Sequence, residues 1–147
     1  MKNFRLIPRL EVKSNNLIKG MQMDGLRIVG NPVSFLKNYC SEGADEIFYD
    51  DIVASLYNRK YNIDLIKKMS LQLNIPLIVG GGIKNIGSAS EIFNCGADRI
   101  SINTAALKNP KFIEKIASTY GSQSIAVQMQ IKKFDDNYEV FSESGRE

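Results

Sequence analysis

Five short strand-like runs, at 4–12, 46–52, 76–80, 99–103 and 124–130, alternate with four segments of helical apolar spacing. Strands joined through helices pair in parallel, and the helices must cover the sheet they connect. This restricts the chain to an α/β architecture of repeated βα units. The first helix opens at Asn31-Pro32, carries Leu36, Tyr39 and Cys40 on one side and stops at Gly43. The second spans roughly 62–73 with Leu65, Ile66, Met69 and Leu73, and the third spans 86–95 with Ala89, Ile92 and Phe93. The fourth opens at Asn109-Pro110 and carries Phe112, Ile113, Ile116, Ala117 and Tyr120. Gly-Ala-Asp recurs at 43–45 and 96–98, each time between a helix end and a strand, as a capping glycine followed by a turn-forming aspartate. The connection 13–30 far exceeds the usual βα loop of about 2–6 residues, so a mobile lid is expected there. The tail 134–147 suits a small hairpin or irregular chain.

The strands have two unlike faces. Arg5, Arg9 and Glu11 alternate with Leu6, Leu10 and Val12; Glu46, Phe48 and Asp50 alternate with Ile47 and Tyr49. Arg99, Ser101 and Asn103 alternate with Ile100 and Ile102, and Ala126, Gln128 and Gln130 with Ile125, Val127 and Met129. Side chains alternate faces along a strand, so one face is apolar and meets the helices while the other is polar. Buried charges are costly unless they pair or meet water. Three arginines and three carboxylates can pair, so the polar face is expected to line an enclosed wet lumen rather than an open surface.

Several function classes are excluded or disfavoured. There is no histidine, which removes Ser-His-Asp and Cys-His nucleophiles and HExxH zinc sites. Acid–base work falls to Asp, Glu, Lys or Tyr. A net charge of +3 without a dense basic cluster gives no nucleic-acid footprint. The apolar runs are too short for a membrane span, and residues 1–11 lack the apolar core of a signal peptide. Two well-separated cysteines, Cys40 and Cys95, suit a reducing cytoplasm. No metal or cofactor is expected.

IPLIVGGGIKN, at 75–85, is a buried strand ending in Gly80, Gly81 and Gly82, where backbone N–H groups can approach an anion. SINTAA, at 101–106, offers Asn103 and Thr104 at the same C-terminal rim, where βα barrels gather their binding groups. Together they point to a phosphate site.

With these stretches in view, the sequence resembles the cyclase subunit of imidazole glycerol phosphate synthase, a (βα)8 TIM barrel of histidine biosynthesis. The resemblance runs through IKG at 18–20, GNPV at 30–33, EGADE at 42–46, IPLIVGGGI at 75–83, SINTAA at 101–106, KNP at 108–110 and GRE at 145–147. It implies that residues 1–147 form one domain, the N-terminal half of a barrel of about 250 residues: four βα units plus strand five. It implies a glutaminase partner, ammonia passing through the lumen, and a phosphorylated small-molecule substrate. By position, Arg5, Glu46 and Arg99 match the charged ring at the mouth of the ammonia passage, and Asp98 matches an acidic residue facing the glutaminase. Lys19 matches the lysine of the lid, Asp51 an acidic rim position, and Gly81, Gly82, Asn103 and Thr104 the region of one phosphate site.

Two positions depart from the pattern. The family's catalytic aspartates on strands one and five fall at Glu11 and Gln130. Glutamate moves the carboxylate by about one methylene, and small displacements of a catalytic group are costly. Glutamine exchanges no proton at neutral pH. Arg9 and Asp50 also stand where the family's lumen is small or apolar. The pattern looks like the second-copy homologues of surface-sugar clusters, in which barrel and glutaminase supply ammonia for an acetamidino sugar. The leading expectation is therefore an ammonia-delivering, cyclase-like subunit with weakened cyclase chemistry. A working cyclase using Glu11 is one alternative, and a non-enzymatic phosphate-ester-binding or assembly module is another.

Overall fold

The computed structural model describes residues 4–21, 24–55, 57–143 and 145. The matching residues Arg146 and Glu147 lie outside them. Seven strands form one sheet: β1 (Arg9–Lys13), β2 (Asn16–Met21), β3 (Asp24–Gly30), β4 (Ile47–Asp51), β5 (Leu77–Gly80), β6 (Arg99–Ile102) and β7 (Ile125–Val127), in the order β3-β2-β1-β4-β5-β6-β7. From β1 to β7 every pairing is parallel, and β2 and β3 add an antiparallel hairpin at the β1 edge. A separate two-stranded ribbon joins β8 (Gln130–Phe134) to β9 (Asn137–Phe141). The helices are α1 (Pro32–Ser41), α2 (Ile63–Ser70), α3 (Ile86–Asn94), α4 (Thr104–Lys108) and α5 (Lys111–Tyr120). Among the described residues no helix is long and apolar enough to cross a membrane.

Local chemistry fixes the helix starts. Asn31, Asn62 and Asn85 each accept a backbone N–H of the first turn of α1, α2 and α3, and Ser88 returns the bond at α3 as a capping box. The helices bury Leu36, Ile66, Met69, Ile92 and Ile116 against Leu10, Val12, Ile47, Tyr49, Leu77, Val79 and Ile100. That is the expected apolar face. The short helix α4, directly after β6, was not expected.

The largest correction concerns 13–30. Expected as one long connection, it carries the paired strands β2 and β3. Register slips between Leu17 and Ile18 and between Lys19 and Met21 interrupt its alternation. The first slip lets two consecutive residues, Leu17 and Ile18, both be buried. The expected strand 4–12 begins only at Arg9, because Pro8 has no N–H for the ladder. Pairing still reaches further back: Phe48 N–H donates to the Pro8 carbonyl at 3.0 Å and Asp45 N–H to the Leu6 carbonyl at 2.9 Å. At the other end, β7 stops at Val127, and Val127 and Met129 are exposed instead of helix-covered because β7 is an edge strand. The tail takes the hairpin form, with β8 starting at Gln130.

The Gly-Ala-Asp repeat has one structural use in both copies. Gly43 and Gly96 end their helices at φ +90 and +96. The Asp45 carboxylate accepts the Leu6 N–H at 2.8 Å while its own N–H donates to the Leu6 carbonyl. The Asp98 carboxylate accepts the Leu77 N–H at 2.8 Å and its N–H donates to the Leu77 carbonyl at 2.9 Å. Each aspartate thus clasps a residue at the foot of the neighbouring strand: Leu77 opens β5, and Leu6 lies three residues before β1.

Candidate functional site

Parallel register sets the polar face in rows. Arg9, Phe48, Ile78 and Arg99 lie in one row, and Glu11, Asp50, Gly80, Ser101 and Ala126 in the next, toward the C-terminal ends. Gln128 continues beside β6, its N–H on the Ile102 carbonyl at 2.9 Å, and its side chain comes close to the Asp50 carboxylate, with which it lines one cavity. In a flat sheet the backbones of β4 and β7 would stand about 14 Å apart. An aspartate and a glutamine meet across that span only if the sheet curls. Gly80 and Ser101, lying between them, carry too little side chain to keep them apart. The polar face is therefore concave.

At the N-terminal end of this face Glu46, 2% exposed, accepts hydrogen bonds from Arg5 and Arg99, the latter at 2.9 and 3.2 Å. A carboxylate so desolvated needs such partners. Asp98, also at this end, is exposed and engaged by Leu77.

Asp50 lies four residues along β4 from Glu46, about 13 Å further up the strand. Arg9 bridges Asp50 at 2.8 Å and Glu11 at 3.2 Å, its guanidinium over the Phe48 ring. Burial pushes the Asp50 carboxyl above its ordinary range, and the charges of Glu11 and Asp51 push the same way. Arg9 and Gln128 pull it back.

Beyond this bridge opens a cavity of about 320 Å³, at the small end of ligand-pocket sizes. Its wall includes Arg9, Asp50, Asp51, Gly81, Gly82, Asn103, Thr104 and Gln130. Gly81 and Gly82 turn at φ +98 and +71, and a Cβ on Gly81 would lie 2.3 Å from the Asp51 carbonyl oxygen. Only glycine brings the backbone this close to Asp51. The Asp51 carboxylate accepts the Val53 N–H at 3.2 Å and lies 3.8 Å from Arg59. Burial raises its pKa, against these stabilising contacts. The Asn103 amide donates to the Phe141 carbonyl at 3.2 Å and to Gln130 Oε1 at 3.5 Å, and its buried Oδ1 has no partner among the described residues. The Thr104 hydroxyl accepts the Glu143 N–H at 3.2 Å.

Six expected site residues, Asp51, Gly81, Gly82, Asn103, Thr104 and Gln130, thus share one cavity. Glu11 stands beside it, attached through Arg9. Lys19 does not reach it: it is exposed on β2, opposite Arg27 on β3. Sequence reasoning passed over Lys108 and Glu143, which also line the cavity and pair at 2.8 Å. Lys108 follows Thr104 by four residues, one helical turn, but without α4 in the expected structure that spacing carried no meaning. Among the described residues no group of three or more Cys, Asp or Glu is placed to hold a metal ion.

Comparison with known proteins identifies the family. The family model described as "Histidine biosynthesis protein" matches residues 5–147. The imidazole glycerol phosphate synthase subunit HisF of Legionella pneumophila is 45% identical over 148 residues, covering all of this chain and 70% of the relative. The subunits of the same name from Campylobacter concisus and a Thermotoga species are 42% and 43% identical, over 97% of this chain and 57% and 56% of their own lengths. The chain thus spans little more than half the length of these two. A sheet of parallel βα units, a glycine-lined cavity at its C-terminal rim and a match along nearly every residue lead to one conclusion: the chain belongs to the histidine biosynthesis protein family, a TIM-barrel family.

Proposed function

We propose that this chain forms the N-terminal part of a cyclase-like subunit of the imidazole glycerol phosphate synthase type. It receives ammonia from a glutaminase at the Glu46 end of the concave face and delivers it to a phosphorylated acceptor in the cavity at the other end. The observation that carries the reading is the arrangement of that face. A carboxylate held by two arginines stands at one end and an anion-competent glycine turn at the other, with polar side chains between them.

We further propose that the cyclase chemistry is weakened. Gln130 has no proton to exchange, and Glu11 is held by Arg9 instead of standing free at the cavity. The acceptor is then a different phosphorylated or nucleotide-activated compound, such as the precursor of an acetamidino sugar. The test pairs the full-length protein with its glutaminase. Glutamine hydrolysis should rise on complex formation while the histidine-pathway substrate is not turned over. Normal turnover of that substrate refutes the weakened chemistry, and the absence of any complex refutes the partnership.

The names of the relatives favour a second reading, a working histidine-pathway cyclase in which Glu11 supplies the acid–base group. It predicts that the full-length gene rescues a cyclase-deficient histidine auxotroph.

A further inference from the structure

Lys108 and Glu143 both line the cavity. Lys108 ends α4 one turn after Thr104, which puts both side chains on the same side of that helix. Its ammonium meets the Glu143 carboxylate at 2.8 Å, and the Glu143 N–H sits on the Thr104 hydroxyl. Glu143, two residues past β9, therefore engages both Lys108 and Thr104. The Asn103 amide is taken by Phe141 and Gln130, and the Thr104 oxygen by Glu143. Glu143 itself lies in the left-handed region, φ +46, a conformation unfavourable for a residue with a side chain.

We infer that Lys108 is a ligand for the phosphate of the bound substrate, and that Glu143 is an internal stand-in for that phosphate which the substrate displaces. This rests on the reading of the cavity as an anion site. The carboxylate presents one negative charge to Lys108 at the same rim as Gly81, Gly82 and Thr104. A phosphate ester carries more charge and more acceptor oxygens and competes for the same ammonium. The pair is open to solvent on the lysine side, where 61% of the side chain is exposed, while the Glu143 side chain is 18% exposed, so a competing anion meets the ammonium first. The Thr104 hydroxyl, which accepts from Glu143, keeps its own proton to donate to a phosphate oxygen. Displacement of Glu143 couples phosphate binding to movement of the ribbon end over the site.

The experiment titrates the full-length protein with inorganic phosphate by calorimetry, comparing wild type with Glu143→Gln, Lys108→Met, Lys108→Arg and the Glu143→Gln/Lys108→Met double variant. Glu143→Gln should tighten phosphate by roughly threefold to fivefold, the scale of an ion pair open to solvent on one side. Lys108→Met should weaken it by about fivefold or more, and Lys108→Arg should restore most of the loss. The double variant should bind like Lys108→Met, since Glu143 acts through Lys108. Unchanged or weaker binding in Glu143→Gln, with phosphate still bound by wild type, overturns this inference alone. Failure of all five proteins to take up phosphate overturns the anion-site reading as well.

Discussion

Gly43 and Gly81 have nearly the same φ, +90 and +98, in very different surroundings. A Cβ on Gly43 meets nothing within 4 Å. A Cβ on Gly81 meets the Asp51 carbonyl oxygen at 2.3 Å, its carbonyl carbon at 2.9 Å and its Cβ at 3.0 Å. Replacing either glycine by alanine carries the same left-handed penalty, about 1–2 kcal/mol. At Gly81 the end of β4 must also move, and backbone shifts of this kind cost a further 1–3 kcal/mol or so. Gly43→Ala should therefore lose about 1–2 kcal/mol and Gly81→Ala about 2–5 kcal/mol. In a protein of the family's full size the gap corresponds to roughly 2–12 °C in Tm. Thermal unfolding followed by far-UV circular dichroism measures it. Phosphate titration should separate the variants again, with Gly81→Ala weakened and Gly43→Ala unchanged. Equal losses of Tm would show that close approach to Asp51 is not what requires glycine at position 81, and the argument for the turn would fail.

Two further outcomes follow from buried polar groups. Asp50 and Asp51 both have pKa values raised above 3.8, so the folded chain holds these protons more tightly than the unfolded one. The stability they confer is greatest at low pH, falls as pH rises through the ordinary carboxylate range, and levels off above the raised values. Asp50→Asn should flatten that fall in urea midpoints measured across acidic pH, and an unchanged slope would remove Asp50 as its source. The Tyr49 hydroxyl is buried without a partner among the described residues. Tyr49→Phe should thus raise stability by about 1 kcal/mol in urea unfolding, whereas a loss would mean that the hydroxyl is satisfied.

The helices were legible because their signals are local. Asn31-Pro32 announces its own cap, and the core positions repeat at helical spacing. The polar face was legible because alternation along a strand survives any tertiary arrangement. The β2–β3 hairpin was not, since its register slips break the alternation that would have revealed it. The meeting of Asp50 and Gln128 was also hidden, because it depends on small residues of two other strands and on the curl of the sheet. Lys108 and Glu143 lie 35 residues apart and are joined only by the return of the ribbon. Six of the expected site residues share a cavity because they cluster at strand ends, while Lys19 lies on the hairpin and outside that lining.

The aspartate clasps at Leu6 and Leu77 bear on how such a chain can be assembled at all. A parallel strand that slips by one residue turns its charges into the helices and its aliphatic groups into the cavity. Each clasp uses both hydrogen-bonding groups of a single residue at the foot of the neighbouring strand, so a slipped strand would forfeit both at once. Alignment is thereby written afresh in each of these units, and a length change within an intervening helix need not propagate to the rest of the sheet.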